Sequence, residues 1–183
     1  MVSAKRRWIV FTVIVLTLAA LGATAQEFKW AYVDTERLLA NYPPALEAQA
    51  RFDTLMAQWR HEAEYRQFEI DSILADAQRK ASTMSATRRQ QIQELLAAKS
   101  DSMQAFIDEV LTGPNALARR TEDSLLAPIT QTLDSIIFDL AEKEGYHAIY
   151  DAVRAGFIYA DSTADITGEV LRQALIEYNA RGQ

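Results

Sequence analysis

The chain has 183 residues, with 19 Lys and Arg against 25 Asp and Glu, and no cysteine. Without thiols it uses neither disulfides nor thiolate metal sites, so its stability must come from packing or assembly. The acidic balance excludes a general polyanion binder and argues against nucleic acid as a partner, while leaving room for a local basic patch.

Residues 1–25 have the three parts of an export signal. Lys5, Arg6 and Arg7 make a positive start, Trp8 to Leu21 is apolar apart from Thr12 and Thr17, and Ala23-Thr24-Ala25 offers small residues for cleavage. The alternative, an uncleaved anchor, is weaker because the apolar run is shorter than the ~20 residues a spanning helix needs. Cleavage would leave Gln26 first and a mature charge of −9, from 16 basic and 25 acidic residues. No cysteine follows the apolar run, which closes the lipoprotein route.

Residues 26–43 begin a small body. Phe28 to Val33 alternates and is rich in aromatic and β-branched residues, as a strand is, and Asp34 or Thr35 can cap a short helix through Asn41. Residues 44–127 then form a long antiparallel helical hairpin with its tip at 82–85. On the outgoing leg Phe52, Leu55, Trp59, Ala63, Arg66, Ile70, Leu74, Ala77 and Ala81 fall on one stripe, and on the returning leg Ile92, Leu95, Lys99, Met103, Phe106 and Val110 do the same. The steps lie closer to an eleven-residue repeat than to a heptad, so the pair should be nearly straight or coil slightly to the right. Each leg of about 39 residues would be roughly 58 Å long at ~1.5 Å per residue, more than a compact core needs. An ordinary helical bundle is the competing reading, but the mature residues outside the hairpin are too few to sheathe two such helices. Gly113-Pro114 should kink or break the returning leg.

Residues 128–183 complete the body. Ile129, Leu133, Ile136, Ile137 and Leu140 make an amphipathic helix ended by Gly145. Tyr146 to Tyr150 and Gly156 to Ala160 read as two short strands, and Asp165-Ile166-Thr167 starts a last helix. The fold class is α+β: a small strand-containing body with an inserted hairpin. Three short strands leave exposed edges unless subunits share a sheet, so an oligomer is expected.

No constellation supports an enzyme, and the chain is read as using no cofactor and no metal. Position 65, where a metal partner for His61 would sit one turn on, is Tyr, so His61 is better read as a solvated residue. His147 has no nucleophile or second histidine to work with. Asp108-Glu109 and Glu122-Asp123 are adjacent pairs that diverge on a helix, so they supply solubility charge. Asp34 and Asp165 are most simply helix caps. None of the six glycines precedes a Lys-Ser or Lys-Thr pair, so no nucleotide loop is present.

Tyr32-Val33-Asp34, Leu126-Ala127-Pro128-Ile129, Glu144-Gly145-Tyr146, Tyr159-Ala160-Asp161 and Asp165-Ile166-Thr167, in this order around a long charged hairpin, resemble the Skp/OmpH family of periplasmic chaperones. The resemblance implies a jellyfish-shaped homotrimer, in which strands of three subunits build one body and three hairpins enclose a cavity for unfolded outer-membrane proteins. It therefore implies a periplasmic, ATP-independent holdase. The alternative is a structural coiled-coil adaptor of the envelope that binds a folded partner at the arm tips. Two departures stand out: Gly113-Pro114 falls where the family runs continuous helix, and the mature chain is acidic where familiar members are basic, so no lipopolysaccharide site is carried over.

Three local expectations follow. Phe52, Trp59, Phe68 and Phe106 are candidate seam or client-facing residues. Lys99 should reach an acid on the outgoing leg, at a level near Asp71. Between Ala77 and Gln93 stand Arg79, Lys80, Arg88 and Arg89 with no acid, which makes the tip a candidate contact for an anionic membrane surface or an acidic stretch of client. Arg88 and Arg89 lie at a helix start, where positive charge is unfavourable.

Overall fold

The computed structural model describes residues 28–182; the export segment read at 1–25 lies outside them. The first strand, β1, is Trp30–Val33, with Ala31 and Val33 turned inward. Asp34 then caps α1 (Thr35–Asn41), its carboxylate accepting the Arg37 N–H at 2.9 Å. Tyr42 is extended, as the residue before a proline prefers, and Pro43 and Pro44 occupy the first turn of α2 (Pro43–Arg79), where no backbone donor is missed. This helix runs unbroken for 37 residues, or about 55 Å at ~1.5 Å per residue.

The chain turns through 80–85, and the Ser85 hydroxyl caps α3 (Ala86–Phe106) by accepting the Arg88 N–H. The returning leg then widens into a π-helical segment, Ile107–Thr112, and leaves helix altogether at Gly113, where the break was expected. It resumes as α4 (Leu117–Glu144), and here the sequence reading needs correction. Pro128 lies inside α4 and does not end the hairpin helix, so the foot of the arm and the body share one rod. Thr130 and Thr132 add hydroxyl bonds to the Ala127 and Pro128 carbonyls at 3.0 and 2.9 Å, while the proline leaves the Ser124 carbonyl, four residues back, without its helical N–H partner. Gly145 ends α4 at φ 71°, a left-handed position that favours glycine, and Tyr146 N–H closes back on the Ala141 carbonyl.

The second strand, β2 (Ala148–Asp151), runs parallel to β1, with Trp30 opposite Ala148 and Val33 opposite Asp151. The whole hairpin is therefore the crossover between two paired strands. The strand expected at Gly156 to Ala160 does not form. Asp151 caps a one-turn helix, α5 (Ala152–Ala155), which Gly156 ends in the left-handed region. One edge of β1 is taken by β2, and Asp165 bridges to Tyr32, so the segment finds no place beside β1. Phe157 instead folds onto Trp30, Tyr32 and Tyr150 at centroid distances of 5.9–6.1 Å. A short turn, Ser162–Ala164, leads to the last helix, α6 (Thr167–Ala180).

The core lies where α1, the foot of α2, the second half of α4 and α6 meet behind β1. Leu38, Val170, Ala31 and Ala174 are wholly buried, with Leu133, Ile136 and Leu140 contributed by α4. The two ends of the chain are joined by a polar weld as well. The Asp34 N–H donates to Thr167 Oγ1 at 2.9 Å, the Ile166 N–H to the Tyr32 carbonyl at 3.0 Å, and Arg37 Nη1 to Asp165 Oδ2 at 2.8 Å. Burial pushes the Asp165 carboxyl up, but hydrogen bonds from Thr167 and the Arg37 guanidinium outweigh it and hold it below the ordinary range.

Candidate functional site

Beyond its foot the arm buries little: Val110, Ala116 and Ala118, around the break in the returning leg, are its buried apolar residues. No residue of α3 is fully buried, and α2 buries only Ala45 and Ala48, both at the body end. Of the aromatic residues singled out from the sequence, Phe52, Trp59 and Phe106 lie half-buried along the seam, while Phe68 faces away from it and is 68% exposed. Near the tip the seam slips by a residue from the expected stripe: Ile73 and Leu96 are half-buried, whereas Leu74 and Leu95 are exposed.

Midway along the arm the seam becomes polar. Lys99 does cross to the outgoing leg, but its partner is Glu69, with Nζ 2.9 Å from Oε2, and not Asp71, which holds the Gln67 amide. The midpoint between positions 69 and 99 is Met84, which lies within the turn at 80–85. Beside this pair, Arg66 donates to Glu62 at 2.8 Å and lies 4.4 Å over the Phe106 ring. Glu62, Arg66, Glu69 and Lys99, with Tyr65 and Ser102, line an open cleft of about 240 Å³. The sequence carried a signal for it, since an arginine on an apolar stripe with a glutamate one turn earlier is a half-buried ion pair in waiting.

At the tip the four cations behave differently. Arg79 and Lys80 both pair with Asp76, at 3.2 and 2.7 Å, and the Lys80 hydrogen bond in particular holds the Asp76 carboxyl below the usual range. Arg89 turns its guanidinium back onto the Met84 carbonyl, with Nε at 3.2 and Nη2 at 3.0 Å, which fastens the turn. Arg88 reaches the Gln91 amide oxygen. With Asp76 drawn in, four cations stand against one acid.

The body presents a second surface. Trp30, Tyr32, Tyr150 and Phe157 cluster on the face of the sheet opposite the core, and next to them Ile158 and Tyr159 are 105% and 83% exposed. His61 is exposed on the arm, and His147 stacks on Phe28 at 5.4 Å while its Nδ1 accepts the Lys29 N–H. Among the described residues, no cluster of His, Cys, Asp and Glu is arranged to hold a metal ion, and no helix is long and apolar enough to cross a membrane.

A family model for outer membrane proteins of the OmpH-like type matches residues 29–173, from β1 into the last helix. The chain belongs to the OmpH-like family. The match spans both the weld between the chain ends and the inserted hairpin, so the family pattern covers body and arm together. Among solved structures, one from Caulobacter crescentus, described as a candidate outer membrane chaperone (OmpH-like), has a TM-score of 0.66 and 19% identity. The likeness covers 79% of this chain and 82% of that one, and at this identity it speaks for the fold. A search of curated proteins finds no match.

Proposed function

We propose that this OmpH-like chain is an ATP-independent holdase of the periplasm, exported with a cleaved signal peptide, that keeps unfolded outer-membrane β-barrel proteins from aggregating. Membership of the family supports a chaperone role, as does the description of the Caulobacter structure. The observation that carries the reading is the thinly buried arm: a hairpin of about 55 Å whose apolar residues, apart from a small buried group at Val110, Ala116 and Ala118, are half-exposed along its length, set among charges. Such a surface offers many weak apolar contacts and no deep pocket, which suits a client with no fixed shape. Phe52, Trp59, Phe68 and Phe106 are its aromatic contacts.

Three arms around one cavity require a homotrimer, and the uncovered aromatic face with the unpaired Gly156 to Ala160 segment is the surface that would join subunits. Light scattering should give three times the mature mass at micromolar concentration. In the client test, a urea-unfolded β-barrel protein is diluted into buffer with the mature chain and turbidity is followed. Suppression near stoichiometric trimer, with no nucleotide, is expected. Unchanged aggregation, together with capture of a folded envelope protein at the tips, would favour the adaptor reading.

The tips add an anionic contact in this proposal, weak for each arm but repeated. Replacing Arg79, Lys80, Arg88 and Arg89 with Gln should lower binding to anionic vesicles at low salt and have little effect at high salt. Equal binding by both proteins would make the patch solvated surface.

A further inference from the structure

The last turns of α6 lie outside the residues that the family match covers. That match ends at position 173, whereas α6 runs on to Ala180. The added turns have a defined end: the Arg181 N–H closes on the Glu177 and Tyr178 carbonyls, and Gly182, at φ 73°, stops the helix in the left-handed region. Their inner side is occupied. Ala174 is wholly buried in the core, and one turn further on Tyr178 packs against it.

Tyr178 meets the elbow between body and arm. Its ring stands edge-on to that of Tyr42, with centroids 6.3 Å apart, and its hydroxyl reaches Glu47 Oε1 at 3.5 Å. Tyr42 is the residue that joins α1 to α2, and it is 4% exposed. The φ angles of Pro43 and Pro44 are fixed by their rings, so the freedom left at the elbow lies in Tyr42. Preceding a proline confines Tyr42 to extended conformations, yet these still span about 40° in φ either way, and such a change is carried along a helix of 37 residues. The returning leg needs no fastening of this kind, because α4 passes from the foot of the arm into the body as one rod.

We propose that residues 174–181 are a brace, with Tyr178 as its positioning residue, that fixes the direction in which the outgoing leg leaves the body. The ring acts by filling the space beside Tyr42, so the elbow cannot turn without opening an apolar contact to water. The hydroxyl adds little, since a bond of 3.5 Å to an exposed glutamate is weak. The brace is a property of the free chain; only its service in holding a client rests on the holdase reading.

The chain has no cysteine, so Glu36→Cys on α1 and Gln58→Cys on α2 give one pair of spin labels across the elbow. With the labelled mature protein diluted into an unlabelled excess, the distance distribution between the labels should be about twice as wide in Tyr178→Ala, whereas Tyr178→Phe should be as narrow as the parent. Equal widths in Tyr178→Ala and the parent would overturn the brace, and a Tyr178→Phe as wide as Tyr178→Ala would overturn the role given to the ring. Hydrogen exchange separates bracing from general stability. In Tyr178→Ala, amides of 45–50 should exchange about tenfold faster while those of β1 and β2 keep their protection. Equal loss of protection in all three would make Tyr178 an ordinary core residue and overturn the proposal. Should Tyr178→Ala not fold, Tyr178→Leu carries the same expectations. Neither measurement contains a client, so both outcomes stand apart from the aggregation assay.

Discussion

The body and the arm are made of similar residues and held in different ways. In the body, β1, α1, α4 and α6 converge so that Leu38, Val170 and Ala174 lose all contact with solvent, and the polar weld at Thr167 is equally buried. In the arm two legs touch along a single line, and apart from Val110, Ala116 and Ala118 near the break the side chains on that line keep one flank in water. Burial therefore fixes the body, whereas the arm has little energy per residue and depends on register. An arm of this kind can present apolar surface without collapsing, because there is no third element for it to collapse onto.

Truncation should expose this difference most strongly. Leu38→Ala empties a site with no exposed surface, and a cost of about 2–5 kcal/mol is expected. Leu96→Ala, on the half-buried seam, should cost about 1 kcal/mol, since roughly 25 cal/mol per Å² applies only to the area actually removed from water. Urea midpoints at one fixed protein concentration would measure both, because the proposed assembly would make stability concentration-dependent. Equal losses would mean that the arm has a hidden core, supplied by another subunit.

The weld comes next in size. Thr167→Val keeps the shape of the side chain but leaves the Asp34 N–H without its acceptor in a buried setting, so about 1–3 kcal/mol should be lost. Its acidic neighbour gives a pH signature. Asp165 has a folded pKa below its unfolded value, so its contribution is fully present above about pH 4 and is lost as the pH falls through the folded value. The stability gap between wild type and Asp165→Asn should therefore be widest near neutral pH and narrow as the pH falls through the lowered folded value. A gap that did not change with pH would assign the residue to packing alone.

Much of this was legible in the sequence, and for identifiable reasons. Helix stripes, the Asp34 start, the Gly145 stop and the Gly113-Pro114 break all depend on local chemistry, which a sequence displays directly. Asp34 and Asp165 were readable as caps, but their meeting across most of the chain was not, because tertiary pairing leaves no local mark. Gly156 to Ala160 has the composition of a strand and lacks an available edge beside β1, and strand propensity describes a surface that fits a sheet more than it describes the backbone. Pro128 misled in the other direction: a proline usually ends a helix, but here the helix continues through it, with Ile129, Leu133, Ile136 and Leu140 buried in the body. At the tip, Arg89 seemed to oppose the helix dipole only while its bond to the Met84 carbonyl was unseen.

The smallest effect tests what sets register in the arm. Lys99 and Glu69 join the two legs while both remain partly in water, so a double-mutant cycle with Lys99→Met and Glu69→Gln should give a coupling of about 0.5–1 kcal/mol that shrinks with added salt. Stability alone would hardly register so small a contribution, but geometry makes it matter. Slipping one leg past the other by a turn would carry Lys99 away from Glu69 and take Arg66 off the Phe106 ring, so both polar contacts select one alignment among many that are similar in apolar area. Near-zero coupling would assign alignment to the turn at 80–85 and its Arg89 clasp. A coupling well above that range would show that the pair is dry in the assembled protein, and that the contrast between a buried body and a wet arm belongs to the single chain alone.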